Sequence, residues 1–363
     1  MHHSKVLVIF GPRRSGKTTL LKNYLHSQKQ KVLFVTGDDI HVRRVLSSTS
    51  IDEIRNWIGQ YRLVIIDEAQ KIPHIGEGAK IISDYIPEVQ LILTGSSSFE
   101  LAGQVGEPLT GRKHTITLYP LALLELGIDL TPYERDSLLQ SILVYGSYPE
   151  VFTQKSHEMK YETLKEITSS YMLKDILDLD KVKNPLVIED LLRLLAYQVG
   201  SEVSLSSLAQ KLAIDYKTVA RYLDLLEKTF IIKKIRGLRK NLAKEMTQKH
   251  KYYFFDLGIR NMLIANLNKL EIRDDVGKLW ENFIVMERIK KCSYQSILVN
   301  PYFWRTWEGQ EIDYIEERDG SYSAYECKWN ADRKLHAPST WTRTYPSSKF
   351  EIITPKNYQG FIT

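Results

Sequence analysis

Cysteine is almost missing from this 363-residue chain, with Cys292 and Cys327 the only two. They allow one bridge at most and form no zinc-type spacing. A disulfide scaffold and a structural zinc module are thereby excluded, and a reducing, cytoplasmic setting is expected. Long apolar runs are missing too: none approaches the roughly 18 residues of a membrane helix, so no membrane partner is expected. Only a few polar residues precede the first apolar run at Val6, which leaves no room for a signal peptide. The sequence contains no internal repeat, low-complexity tract or long linker. It also has little surplus of one charge, since 50 Lys and Arg face 44 Asp and Glu for a net +6. That value alone names no partner. With 43% hydrophobic and 26% charged residues, the chain reads as an ordinary folded protein, and its length predicts two to four domains.

Residues 1–120 alternate apolar runs with amphipathic stretches. Val6–Phe10, Lys31–Thr36, Leu63–Asp67, Gln90–Thr94 and His114–Leu118 are predicted strands of an α/β fold, a parallel sheet covered on both faces. Residues 121–182 read as helical, broken at Gly146-Ser147-Tyr148-Pro149. Within 183–260 a first helix, Leu186–Gln198, precedes two more joined by a short turn. Ser204 caps one, with Leu205, Leu208 and Leu212 on a common face. Asp215 caps the other, where Val219, Tyr222, Leu223 and Leu226 form the buried stripe. Strands over Phe230–Arg236 and Lys251–Phe255 then flank a basic loop, so a winged helix-turn-helix is predicted. Residues 261–363 carry one helix, Val276–Lys291, and four strands.

Charge is unevenly placed. From Lys233 to Lys251 there are eight basic residues and one acid, Glu245. This +7 stretch beside a candidate reading helix suggests an anionic polymer, with DNA the expected partner. Lys217, Thr218 and Arg221 on the second helix face the DNA in this reading, and Arg236, Arg239 and Lys240 add phosphate contacts. A solvated loop or a protein-docking surface is the alternative.

Gly11-Pro12-Arg13-Arg14-Ser15-Gly16-Lys17-Thr18 satisfies the phosphate-loop pattern between a strand and a helix that opens near Thr19. Its glycines let backbone amides wrap a phosphate, Lys17 neutralises the β and γ oxygens, and the Thr18 hydroxyl ligates Mg²⁺. The matching acidic strand end is Asp67-Glu68: Asp67 holds the Mg²⁺ shell and Glu68 polarises the attacking water. Ser96, after the strand Leu91–Thr94, is placed to sense the γ-phosphate. Arg112 is a candidate finger toward its own or a neighbour's nucleotide, which would imply a homo-oligomer.

These motifs resemble the bacterial and archaeal AAA+-type ATPases that carry a C-terminal domain of unknown function. The matching residues are Gly11–Thr18, Ile66–Ile72, Leu93–Ser97, Gly111-Arg112, Tyr145–Glu150, Lys174–Ile176, Ala196–Gly200 and Tyr252–Gly258. The resemblance implies an ATPase core (1–120), a helical lid (121–182), a winged helix (183–260) and a compact terminal domain (261–363), with ATP as ligand.

The terminal stretch resembles the PD-(D/E)XK nuclease superfamily, a restriction-endonuclease-like α/β fold. Asp313 lies on one strand and Glu326-Cys327-Lys328 on its partner, with Glu281 contributed by the preceding helix. Ile312 stands where the superfamily has its proline. Hard oxygens of Glu281, Asp313 and Glu326 suit Mg²⁺ or Mn²⁺, and Lys328 suits the charge that develops during phosphodiester cleavage. The competing reading is a switch that binds ATP and DNA and cuts nothing.

Overall fold

A computed structural model describes residues 6–27, 30–96, 105–126, 130–172, 184–238, 249–330 and 336–363. Arg239 and Lys240, with most of the basic loop, and the Lys174–Ile176 motif lie outside the described residues. The chain divides into two compact units. The first runs to Pro120 and includes Lys228–Phe230, and the second holds the remaining described residues from Leu121 onward.

The first unit is built on a five-stranded parallel sheet in the order β2-β3-β4-β1-β5. Its strands are β1 (Val6–Phe10), β2 (Val32–Thr36), β3 (Leu63–Asp67), β4 (Gln90–Thr94) and β5 (Lys113–Thr117). The apolar run of β3 shows why both faces are covered. Val64 and Ile66 join one core with Ile54, Ile75 and Ile82, while Leu63 and Ile65 join another with Leu21 of the helix Lys17–Ser27. Successive side chains of a strand point to opposite faces, so a run with no polar position requires helices on both sides. β4 lies between β1 and β3 and so separates the phosphate loop from the acidic strand end by one strand.

In the second unit a short 3-10 turn, Leu123–Glu125, precedes the helix Pro132–Tyr145, which is closed at its start by a reciprocal cap between Thr131 and Glu134. Its sheet has seven strands in the order β12-β11-β10-β9-β7-β8-β6. β6 (Glu202–Val203), β7 (Ile232–Gly237) and β8 (His250–Phe254) accompany the helices Pro185–Tyr197, Leu205–Leu212 and Tyr216–Lys228. β9 (Asn300–Arg305), β10 (Glu311–Arg318), β11 (Ser321–Cys327) and β12 (Lys349–Ile353) follow the helix Val276–Tyr294. β7 and β9 pair in parallel at Arg236–Tyr302 and Gly237–Phe303, so the stretches expected as separate domains on either side of residue 260 share one continuous sheet.

β10 is the longest strand of this sheet among the described residues. It runs on through Glu317, and the turn is confined to Asp319 and Gly320, both with positive φ. Its register against β9 shifts between Ile312 and Ile315. This bulge explains why Ile312 and Ile315, three apart, enter the same core with Trp304, Trp341 and Ala324.

Several motif residues within the second unit prove to be interlocks. The Asp256 carboxylate caps the helix Leu257–Leu263 through Ile259 N–H at 3.0 Å and also accepts the Ser147 N–H at 2.6 Å. Gly146 has φ +74°, and a Cβ there would stand 2.2 Å from Asp256 Oδ1. Asn282 brackets Phe254 of β8, accepting its N–H at 2.7 Å and donating to its carbonyl at 2.9 Å. Gly146→Ala combines backbone strain with displacement of a buried, capping carboxylate. It should destabilise the second unit by about 3 kcal/mol, read as a lower midpoint in denaturant, and an unchanged midpoint would refute the interlock.

Candidate nucleotide site and terminal carboxylate cluster

β1 ends at Phe10 and the next helix begins at Lys17, leaving Gly11–Gly16 as the connecting loop. Gly11 and Gly16 have φ of +154° and +94° and Arg14 has +62°, which bends the loop back over the helix start. Pro12 and Ser15 are buried, Arg13 and Arg14 are half-buried, and Thr19 is exposed. The Lys17 ammonium, 6% exposed, donates to the Gly11 and Pro12 carbonyls at 2.8 Å each. Ser15 Oγ is buried with no hydrogen-bond partner. A wrapped loop with a buried lysine and an orphaned hydroxyl fits a phosphate, whose charged oxygens are stronger acceptors than peptide carbonyls.

Asp67 closes β3 and is nearly buried. Thr18 Oγ1 donates to its Oδ2 at 2.7 Å, and Thr94 Oγ1 donates to its Oδ1. One carboxylate therefore clasps the phosphate-loop helix and the tip of β4. Thr18 and Asp67 would hold a Mg²⁺ ion, whose preference is for such hard oxygens. Sequence reasoning missed Thr94, which occupies the last position of a predicted strand.

Glu68 follows in a left-handed conformation, φ 52°. Gln70 Nε2 donates to Glu68 Oε2 at 2.6 Å, a second partner the sequence did not signal. Pairing of Ile9 with Thr94 sets Ser96, fully buried, level with Gly11. The register thus brings Glu68 and Ser96 to the same sheet edge as the loop. Arg112 lies at the other edge: its carbonyl accepts the Val6 N–H at 2.8 Å, and its guanidinium bonds Asp84 at 2.6 Å. The length of β1, roughly 16 Å, separates it from the loop. An Arg112 finger toward the chain's own nucleotide is therefore corrected.

In the second unit Ser204 and Asp215 cap their helices as predicted, with a left-handed Ala213 in the turn between them. Lys217, Arg221 and Arg236 are exposed. Thr218 donates both its amide and its hydroxyl proton to the Asp215 cap. The basic stretch is also less positive at the surface than its count suggests. Lys233 pairs with Glu227 at 3.0 Å and Lys249 with Glu202 at 3.9 Å, while Lys251 is 1% exposed. Tyr252–Phe255 are buried, as expected of a core strand.

Lys251 is the centre of the terminal cluster. Its Nζ lies 2.6 Å from Glu311 Oε1, 2.9 Å from Glu281 Oε1 and 3.7 Å from Asp313 Oδ1. Glu281 also accepts the Tyr253 hydroxyl at 2.7 Å. Asp313 Oδ2 accepts the Cys327 N–H at 2.9 Å, and Lys328 pairs with Glu326 at 2.7 Å. Burial alone would lower Lys251, but Glu281, Asp313 and Glu311 together hold it well above the usual lysine range. One ammonium cannot neutralise three carboxylates, and burial with Asp313 nearby pushes Glu281 up to about 7. Burial and Asp313 likewise push Glu326 up.

Among the described residues no three His, Cys, Asp or Glu side chains are grouped to hold a metal ion. The expectation that Glu281, Asp313 and Glu326 together ligate Mg²⁺ or Mn²⁺ is corrected: Glu281 is engaged by Lys251 and Tyr253. Glu326 Oε2 alone is buried and without a partner. Lys251 and Glu311 were missed as site residues. Lys251 was counted with the basic surface, although a lysine opening the apolar strand Tyr252–Phe254 was the available signal.

Residues 3–127 match an AAA domain family, 136–271 a domain of unknown function (DUF8612) and 276–357 a domain of unknown function (DUF4143). The AAA match coincides with the unit built on the five-stranded parallel sheet, which is consistent with a P-loop NTPase fold, and the other two matches are to domains without assigned function. An uncharacterised protein of Mycobacterium tuberculosis is 25% identical over 332 residues, 90% of this chain and 71% of its own. Another from Haemophilus influenzae is 24% identical, covering 98% and 90%. One from Methanocaldococcus jannaschii is 21% identical, covering 92% and 78%. A solved structure of Pif1 helicases at forked double-stranded DNA overlaps 46% of this chain and 48% of its own, at 14% identity and a TM-score of 0.23. Drosophila ORC bound to AT-rich DNA and Cdc6 overlaps 73% and 87%, at 10% identity and a TM-score of 0.26. Both superpositions are too poor to carry any argument here. Among the described residues no helix is long and apolar enough to cross a membrane.

Glu68→Gln should keep ATP binding and lower turnover by about 100-fold or more, whereas Lys17→Ala should weaken binding itself. Nucleotide retention and phosphate release measure the two effects, and unchanged turnover in Glu68→Gln would remove it as the base.

Proposed function

We propose that the protein is a Mg²⁺-dependent ATPase whose nucleotide state is coupled to DNA held by its second unit. The observation that carries the hydrolytic half is the Asp67 clasp, which sets Thr18, Lys17, Glu68 and Ser96 along one sheet edge. ATP phosphates would lie against the loop amides and Lys17, and Mg²⁺, when bound, would screen their charge. Glu68 takes a proton from the attacking water, and Ser96 holds an oxygen of the terminal phosphate. Arg112 retains only a role toward a neighbouring copy, as part of a homo-oligomer.

The DNA half rests on the arrangement helix, short strand, two helices and antiparallel strand pair, which we read as a winged helix. Lys217 and Arg221 stand on the exposed face of its second turn-linked helix, opposite the buried Val219, Tyr222, Leu223 and Leu226. Such cations contact phosphates and position the duplex without reading its sequence. A solvated or protein-docking surface is the rival.

A second reading adds metal-dependent DNA cleavage by Asp313, Glu326 and Lys328. Two observations favour it. The order of helix, three antiparallel strands, short helix and parallel strand resembles the PD-(D/E)XK arrangement. Glu326 Oε2 is buried and has no hydrogen-bond partner.

DNA affinity should fall with salt, and Lys217→Ala with Arg221→Ala should lower the slope of log affinity against log salt by about 2. Binding insensitive to both salt and substitution would favour docking to protein. Incubating plasmid with Mg²⁺ or Mn²⁺ tests the second reading: nicking lost in Lys328→Ala supports cleavage, and nicking retained in that variant removes the proposed residues.

A further inference from the structure

The ammonium of Lys251 is enclosed, with the residue 1% exposed. Three carboxylates surround it, Glu281 from the helix Val276–Tyr294 and Glu311 and Asp313 from β10, and its Nζ lies 5.5 Å from the centre of the Phe303 ring. It is held there by a strand paired on both edges, with β7 at Ile235 and with β6 through Glu202. The anions are equally fixed. Glu281 is clamped by the Tyr253 hydroxyl and packs so closely on the backbone of Gly200 that a Cβ there would stand 3.0 Å from its Oε2. Asp313 is aimed by the bulge in β10 and by the Cys327 amide. Two cations in this enclosure would repel one another, since neither is shielded by water.

We infer that Lys251 is the resident cation of the terminal cluster, filling the place a divalent metal would require and fastening β8 to β10 and to the helix behind them. Carboxylates that resemble a nuclease site are thus engaged from within the chain, by a residue on a strand that precedes the terminal domain in sequence. The inference is independent of the nucleotide and DNA readings and concerns only this cluster. It opposes the cleavage reading, which the orphaned Glu326 oxygen favours.

Electron paramagnetic resonance of Mn²⁺ added to the full chain without nucleotide tests it. Wild type and Asp313→Asn should bind the same amount of Mn²⁺. Lys251→Gln should lower Tm by on the order of 5 °C or more, as expected when a buried ion pair loses one partner. It should also gain a bound Mn²⁺ that disappears when Asp313→Asn is added. Mn²⁺ bound by wild type and lost in Asp313→Asn overturns the inference, as does a Lys251→Gln chain that neither loses stability nor gains metal. If Lys251→Gln does not fold, the wild-type and Asp313→Asn comparison decides alone.

Discussion

The carboxylate of Asp67 ties together the parts of the first unit that chemistry needs. Its two oxygens take hydroxyl hydrogen bonds from Thr18, at the start of the phosphate-loop helix, and from Thr94, at the end of the strand between them. The tip of β3 is thereby linked to the loop leaving β1 and to β4, and Glu68 and Ser96 stand in fixed relation to Lys17. A buried carboxylate satisfied by two side-chain hydroxyls is stable as it is, yet both hydroxyls are also oxygen ligands for a hard cation. The same contacts that hold the loop in shape are those a magnesium nucleotide would use.

The second unit follows a different logic. Its seven strands form one sheet, and buried polar side chains hold its helices to that sheet. Asn282 brackets Phe254, Asp256 gathers Ser147 and Ile259, and Arg288 pairs with Glu316 at 2.7 Å. Each of these three groups has partners, and loss of either partner leaves the other stranded, so these contacts specify one arrangement as well as stabilising it. Lys251 belongs to this class. It resembles a surface cation by composition and a core residue by environment, and three fixed carboxylates account for the difference.

Four of the first unit's five strands were legible as largely apolar runs, and the structure begins or ends all five within a residue of the predicted positions. The nucleotide site was legible because phosphate binding demands particular residues in a contiguous loop. Thr94 and Gln70 escaped notice because their roles depend on register and on a short turn, neither of which leaves a pattern. The shared sheet escaped because the parallel pairing of β7 with β9 joins segments more than sixty residues apart. Glu281 was found but misassigned. Its place in the helix suggested a metal ligand, whereas its partners Lys251 and Tyr253 come from a strand thought to belong to another domain.

The central claim is that nucleotide state controls how tightly the second unit holds DNA. The most direct measurement is the affinity of the full chain for a labelled duplex at fixed salt, compared in ATP and in ADP with Glu68→Gln used to keep the triphosphate intact. The account predicts affinities that differ by about fivefold or more, the size of an ordinary coupling between two sites. Equal affinities in the two nucleotides, with both nucleotides shown to be bound, would contradict it.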